Sequence, residues 1–104
     1  MTSDVESILT RLGDPAASVR RMAVMDLVKR GGPRAGEVLL QHLARETDAK
    51  ARIAIVRYFG ASGLTGAMPV LAALRDDPRT SAALAHAAIL AHDRLERRAA
   101  SAGG

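Results

Sequence analysis

The chain has 104 residues, a length that predicts one domain spanning residues 1–104. It contains no cysteine, which excludes disulfides, thiolate metal sites and cysteine nucleophiles. The formal net charge of +4 favours an acidic partner or a nucleic acid, but so small an excess does not decide between them. Aromatic residues make up only 2% of the chain, so the core has to be built from aliphatic side chains.

No apolar run approaches the ~18 residues that a membrane-spanning helix needs, so no membrane partner is expected. The first residues, Met1–Asp4, carry neither the basic nor the apolar segment of a secretory signal. Together with the lack of cysteine, these features predict a cytoplasmic protein.

Apolar residues recur at helical spacing, and breaks rich in glycine and proline divide the chain into six predicted helices. In chain order these are Asp4–Leu12, Ala17–Arg30, Arg34–Arg45, Ala49–Ala61, Ala67–Leu74 and Thr80–Ala99. Gly60, Gly63 and Gly66 are expected to end the fourth helix and to separate it from the fifth. The small residues of the tail, 100–104, are expected to fray.

A unit of about thirty residues occurs three times. Its first pattern, Ile8-Leu9-x-x-Leu12, recurs as Leu39-Leu40-x-x-Leu43 and as Val70-Leu71-x-x-Leu74. Its second pattern is Val19-Arg20-x-x-Ala23-x-x-x-Leu27, which recurs as Ala51-Arg52-x-x-Ile55-x-x-x-Phe59 and as Ala82-Ala83-x-x-His86-x-x-x-Leu90. The predicted repeats cover residues 3–32, 33–63 and 64–99, and each has an A helix followed by a B helix. Stacked repeats bury their apolar faces against one another and usually act as binding surfaces.

The same periodicity assigns several less obvious side chains to the core. Met22, Met25 and Met68 fall on or near apolar helical stripes, where methionine fills irregular gaps. His86 occupies a core position of the third B helix, so it is expected to be partly buried.

These patterns resemble HEAT repeats, and most closely the short bacterial subtype of phycobilisome lyase-like proteins. Leu12-x-Asp14 followed by Val19-Arg20-x-x-Ala23-x-x-x-Leu27 matches that subtype. The second unit has Arg45 where an aspartate is expected, and the third has Ala83 where the arginine is expected. The resemblance implies an all-α fold, a short right-handed α-solenoid of three HEAT-like helix pairs.

The resemblance also implies a structural role for two arginines, Arg20 and Arg52. In such repeats this arginine bridges to a loop carboxylate, and Asp14 and Asp48 are the natural acceptors here. The resemblance further implies that the B helices line a concave side.

Positive charge is concentrated in the predicted B helices, whereas most acidic residues lie outside them. On a concave side such a basic face is suited to an acidic protein surface. The candidate partner-binding residues are Arg21, Lys29, Arg30, Lys50, Arg57 and Arg94. The alternative is a merely solvated face with structural arginines, because charge runs are often no more than that.

We therefore expect a non-catalytic adaptor or regulatory subunit that binds an acidic protein partner. A duplex nucleic acid, held through its phosphates on the same face, is the second hypothesis. Single strands are less expected, because only Tyr58 is placed to stack on a base. An accessory subunit of a chromophore lyase-like enzyme is the third hypothesis, and only the resemblance supports it.

No residue pattern predicts a metal site, a cofactor or a catalytic residue, so the chain is not expected to be an enzyme. His42, His86 and His92 are spaced so that they do not converge on one metal ion. Asp76 and Asp77 are adjacent, and their turn context explains them better than a catalytic carboxylate pair does.

The last predicted helix is rich in alanine, and no further repeat of this sequence covers it. Exposed apolar surface at the end of a stack favours self-association. A homodimer, or end-to-end stacking through the C-terminal repeat, is therefore also predicted.

Overall fold

The computed structural model describes residues 4–103, and this part of the chain contains six α-helices and no strand. The helices are α1 (Asp4–Leu12), α2 (Ala17–Arg30), α3 (Gly32–Leu43), α4 (Ala49–Ser62), α5 (Met68–Asp76) and α6 (Ala82–Gly103), with a 3₁₀ turn at Thr65–Ala67. The predicted all-α fold of six helices is confirmed. Residues 1–3 and 104 lie outside the described part, and with them the start of the first predicted repeat and the last residue of the predicted tail.

A glycine pair connects α2 to α3. Gly31 and Gly32 have φ values of 65° and 85°, a region that glycine enters without the steric cost that a side chain brings. The Gly31 amide donates a 3.0 Å hydrogen bond to the Leu27 carbonyl, which closes the last turn of α2. The tight turn lets α3 start at Gly32 rather than at the predicted Arg34.

The third helix ends at Leu43 rather than at the predicted Arg45. The amides of Arg45 and Glu46 both donate to the His42 carbonyl, at 2.9 and 3.0 Å. Two donors on one carbonyl tighten the end of the helix, as is common where the last carbonyls lack regular partners. The chain then leaves α3 with Glu46 turned into the interior, where it is buried.

The last helix is longer than predicted. We expected residues 100–104 to fray, but α6 continues through Gly103. Alanine has the highest helix propensity, and no proline or glycine interrupts the sequence between Ala82 and Ala102. Nothing local therefore stops the helix at Ala99.

The chain divides into two compact units, residues 1–55 and 56–104. In the first unit α1 packs against α2, and α2 packs against α3. Its core is aliphatic, with Ile8, Leu12, Val24, Leu27, Leu39, Leu43 and Ile55 buried. In the second unit α5 and the 3₁₀ turn pack against α6, and the buried core includes Val56, Phe59, Leu71, Leu84 and Leu95.

The buried positions of the B helices repeat at an even spacing, which differs from the predicted alignment of the third copy. They are Ala23, Val24 and Leu27 in α2, Ile55, Val56 and Phe59 in α4, and Ala87, Ala88 and Ala91 in α6. The prediction placed His86 and Leu90 in the core, one residue too early. Both are exposed, and Leu90 retains 53% of its accessible surface. At the even spacing, buried Leu84 occupies the position that Arg20 has in the first copy.

Gly60 does not break the chain as predicted. It is buried inside α4, and a Cβ built on it would lie 2.9 Å from the Cα of Ala91 in α6. The missing side chain therefore lets two helices of the second unit approach closely. Gly63 is the residue that ends α4, with a φ of 75°, and the Arg98 side chain lies against it.

Replacing Gly60 with alanine is expected to destabilise the second unit by about 1–3 kcal/mol, because the added methyl group overpacks the contact with Ala91. Urea unfolding followed by circular dichroism measures the change. Gly66→Ala is the matched control, since a Cβ there meets nothing within 4 Å. Equal free energies of unfolding for the two variants would contradict the close approach at Gly60.

Candidate functional site

The structure brings three of the six predicted binding residues into one groove of the first unit. We call it the α2–α4 groove; its volume is about 470 Å³. Its lining residues are Ser18, Arg21, Met22, Met25, Asp26 and Lys29 of α2, and Lys50, Ala51 and Ala54 of α4. The groove is open and mainly apolar inside, and its cations lie among small side chains and methionines. This combination suits a protein segment that offers both apolar and acidic groups.

Two methionines that were predicted to be core residues are exposed in this groove. Met22 retains 64% of its accessible surface and Met25 retains 46%. The prediction was wrong for both because Ala23, Val24 and Leu27 supply the buried face of α2. A run of apolar residues from Met22 to Met25 is too wide for one helix face, and this excess was the available sequence signal. Met68, on α5, is half-buried.

Ion pairs neutralise some of the charges at the groove. Arg21 Nε lies 3.0 Å from Asp48 Oδ2, although its N–H is not aligned for a hydrogen bond. Asp26 accepts a 2.8 Å hydrogen bond from Arg11. Arg21 is therefore engaged within the chain, as is the carboxylate of Asp26.

Lys29 and Lys50 are exposed, and within the described residues neither takes part in an ion pair. Each lysine adds an uncompensated positive charge to the α2–α4 groove. Arg30 does not line this groove and instead borders a smaller cavity of about 270 Å³ with Ser7 and Ile8.

The remaining two predicted residues, Arg57 and Arg94, line a groove of the second unit. This α4–α6 groove has a volume of about 540 Å³, and its other lining residues include Ala61, Ala83, His86, Ala87, Leu90 and Arg97. Arg97 is paired with Asp93 at 2.8 Å, whereas Arg57 and Arg94 are exposed and make no ion pair within the part of the chain that is described. The six predicted residues thus line three cavities, two of which share Lys29.

Two apolar side chains of α6 are exposed, Leu90 at 53% and Ile89 at 45%. Leu90 lines the α4–α6 groove and Ile89 does not. The predicted self-association through this helix stays a prediction.

The first unit contains a buried carboxylate, Glu46, that was not among the predicted site residues. Its side chain has no accessible surface. Arg20 Nε donates to both carboxylate oxygens at 3.2 Å, and His42 Nε2 donates to Oε1 at 2.8 Å. The amides of Thr47 and Asp48 donate to Oε2 at 2.9 Å. A buried carboxylate is tolerated only when it is paired and hydrogen-bonded in this way.

The structural role that was expected for Arg20 is confirmed, but the acceptor is different. Arg20 pairs with Glu46 and donates to the carbonyls of Asp14 and Pro15, both at 2.9 Å. The Asp14 carboxylate instead accepts the Ala16 amide at 2.8 Å.

Asp48 and Arg52 also differ from the expected pairing. Asp48 pairs with Arg21 and accepts the Ala51 amide at 2.9 Å, which caps the start of α4. Nε of Arg52 is buried and has no hydrogen-bond partner among the described residues, so Arg52 does not repeat the pairing of Arg20 with Glu46.

The environment of Glu46 favours its charged form. Burial alone raises the pKa of Glu46, but hydrogen bonds from the Asp48 amide, from His42 and from Arg20 outweigh it. The net effect, which includes the charge of Arg20, lowers the pKa below the ordinary value of 4.5.

Other polar residues that were considered for chemistry have structural partners. Asp76 accepts from Arg75 at 2.8 Å, and Asp77 accepts from Arg79 at 3.1 Å, and each arginine lowers the pKa of its aspartate. The described residues include no group of three histidine, aspartate or glutamate side chains that could hold a metal ion. Nor does this part of the chain contain a helix long and apolar enough to cross a membrane.

A comparison with known protein families agrees with the helical fold and with the even spacing of its buried positions. The model of the family described as HEAT repeats matches residues 5–102. The chain belongs to the HEAT-repeat family. HEAT repeats generally mediate protein–protein interaction. No curated protein and no solved structure matches the chain significantly, and the phycobilisome lyase-like subtype stays a prediction.

Replacing Glu46 with glutamine is expected to lower the free energy of unfolding by about 3 kcal/mol. The substitution leaves the guanidinium of Arg20, only 15% exposed, without its counter-charge. Chemical denaturation at neutral pH measures the loss. Glu37→Gln is the control, because Glu37 is exposed on α3 and pairs with no residue that the structure describes. A loss no larger than that of the control would show that Glu46 does not stabilise the fold.

Low pH is expected to remove the contribution of Glu46 to the free energy of unfolding. A carboxyl group whose pKa is lower in the folded state stabilises the fold above its unfolded pKa, here near 4.5. That contribution is lost as pH falls below this value and through the lowered folded pKa. Urea unfolding across pH 3 to 7 is therefore expected to show a steeper acid loss for the wild type than for Glu46→Gln. Parallel curves would contradict the lowered pKa.

Proposed function

We propose that this HEAT-repeat chain is a non-catalytic adaptor or regulatory subunit that binds an acidic protein partner through its B helices. The observation that carries the proposal is the α2–α4 groove, in which exposed methionines lie beside lysines that pair with none of the described residues. Desolvated apolar contacts supply affinity in protein interfaces, while charges at the rim add specificity and speed.

The negative charge of the partner is inferred from cations that have no counter-charge among the described residues. Lys29 and Lys50 border the groove of the first unit, and Arg57 and Arg94 border that of the second. Acidic groups of a partner would complete these ion pairs. Phosphate groups offer the same charge, but they have no apolar side chain to cover the exposed Met22.

A non-catalytic role is supported by how the polar side chains are used. Glu46 is enclosed by hydrogen-bond donors, and Asp76 and Asp77 are each bound to a neighbouring arginine. Glu46 does not itself line the cavity of about 730 Å³ that its partners Arg20 and His42 border, and its oxygens are occupied by their donors. The chromophore lyase alternative rests on resemblance alone, and no described contact adds to it.

Reversal of the unpaired charges tests the proposal. Lys29→Glu with Lys50→Glu is expected to weaken binding of an acidic partner about tenfold, and so is Arg57→Glu with Arg94→Glu. Quantitative affinity capture with wild type and variants identifies the proteins lost, and titration with each purified protein measures the change.

The control variant is Arg34→Glu with Arg45→Glu. Both arginines are exposed, Arg34 on α3 and Arg45 just after it, and neither pairs with a described residue. This variant is expected to retain the partners. If all three double variants lost the same amount of partner binding, the effect would come from net charge alone, which would contradict the proposal.

A DNA duplex, titrated at low salt and at ~150 mM salt, tests the competing function. Loss of binding with modest salt is expected. Micromolar affinity that survives ~150 mM salt, with a slope near one unit per phosphate contacted, would replace the protein partner by a nucleic acid.

A further inference from the structure

We propose that the α2–α4 groove binds an amphipathic helix of the partner, with an apolar pair against Met22 and Met25 and acidic residues against Lys29 and Lys50. The inference rests on the proposed function and deepens it, because it names the kind of segment that the acidic partner presents. Three features of the groove support the inference: the spacing of its methionines, the small side chains in its walls, and its lysines that pair with no described residue.

The methionines form a paired apolar contact. Met22 and Met25 are three residues apart on α2, so they lie on one face about 4.5 Å apart along the helix axis. A helix presents apolar side chains at the same spacing, three or four residues apart, when it lies in a groove between two others. Methionine is flexible and polarizable, so this floor adapts to leucine, isoleucine or phenylalanine anchors alike.

The walls leave room for such anchors. Small side chains line the groove beside the methionines, namely Ser18 on α2 and Ala51 and Ala54 on α4. With a volume of about 470 Å³ the groove falls within the range of ordinary ligand cavities, although it is open along one side. An open and mainly apolar groove suits the side of a helix better than a small molecule, which needs enclosure.

The charges select an acidic helix over a basic or neutral one. Arg21 is neutralised by Asp48, and Asp26 is neutralised by Arg11, so these four residues add no net charge. Lys29 lies two turns beyond Met22 on α2, and Lys50 lies in the first turn of α4. Acidic residues placed against Lys29 and Lys50 therefore supply the counter-charges that no described residue provides.

A displayed library of helical peptides about 15 residues long tests the inference. Each position is randomised among leucine, methionine, alanine, serine, glutamine, glutamate and lysine, so that neither charge nor amphipathicity is imposed. Selection on the wild-type protein is expected to yield peptides with two apolar residues three or four apart, flanked by glutamates.

The position of a selected peptide is read from methionine methyl resonances. The chain has four methionines, and Met68 on α5 serves as the reference. Shifts confined to the methyl groups of Met22 and Met25 are expected. Met22→Gln with Met25→Gln is expected to weaken binding about tenfold without unfolding the chain, since both side chains are largely exposed.

The outcomes separate this inference from the proposed function. Peptides that are acidic but lack the apolar pair, and whose binding falls in Lys29→Glu with Lys50→Glu but not in the glutamine double variant, overturn the helix inference and leave the acidic partner standing. Peptides without acidic enrichment, binding that is insensitive to the lysine reversal, or selection that yields no binder overturn both.

Discussion

The first unit depends on one buried carboxylate. Glu46 joins three stretches of chain, because Arg20 comes from α2, His42 from α3, and the amide donors from the linker at Thr47 and Asp48. The ordered linker then positions Asp48, whose carboxylate caps α4 at Ala51 and pairs with Arg21. The α2–α4 groove is built on the result, since its second wall begins with the residues that follow Asp48. A buried charge thus affects a groove that it does not line.

The positively charged residues of the B helices fall into two groups. Arg20 and Arg21 are held by Glu46 and Asp48 and belong to the framework. Lys29, Lys50, Arg57 and Arg94 are paired with none of the described residues, and they lie beside exposed methionine or leucine side chains. The net charge of the chain does not distinguish the framework charges from the free charges, although the two groups have different roles in this proposal. We expect removal of a framework charge to cost stability, and we propose that removal of a free charge acts on binding.

Much of the fold was predictable because glycine, proline and helical periodicity mark most helix boundaries. The third copy was placed one residue too early because Ala82–Ala91 offers little contrast between buried and exposed positions. The exposure of Met22 and Met25 was missed because composition does not tell which part of a wide apolar stripe faces the core. Glu46 was missed because the pattern calls for an acid at the position of Arg45, and here the acid stands one residue later. Only the geometry of the α3 terminus, which turns Glu46 inward, reveals its role.

Amide hydrogen exchange at Thr47 and Asp48 tests most directly whether Glu46 organises the linker and, through it, the groove. Both amides lie outside regular helix and owe their protection to the Glu46 carboxylate. We expect both amides to exchange nearly as slowly as the core amides of α2 at neutral pH, and to lose this protection in Glu46→Gln. Exchange at the rate of an unstructured peptide in the wild type would contradict this expectation.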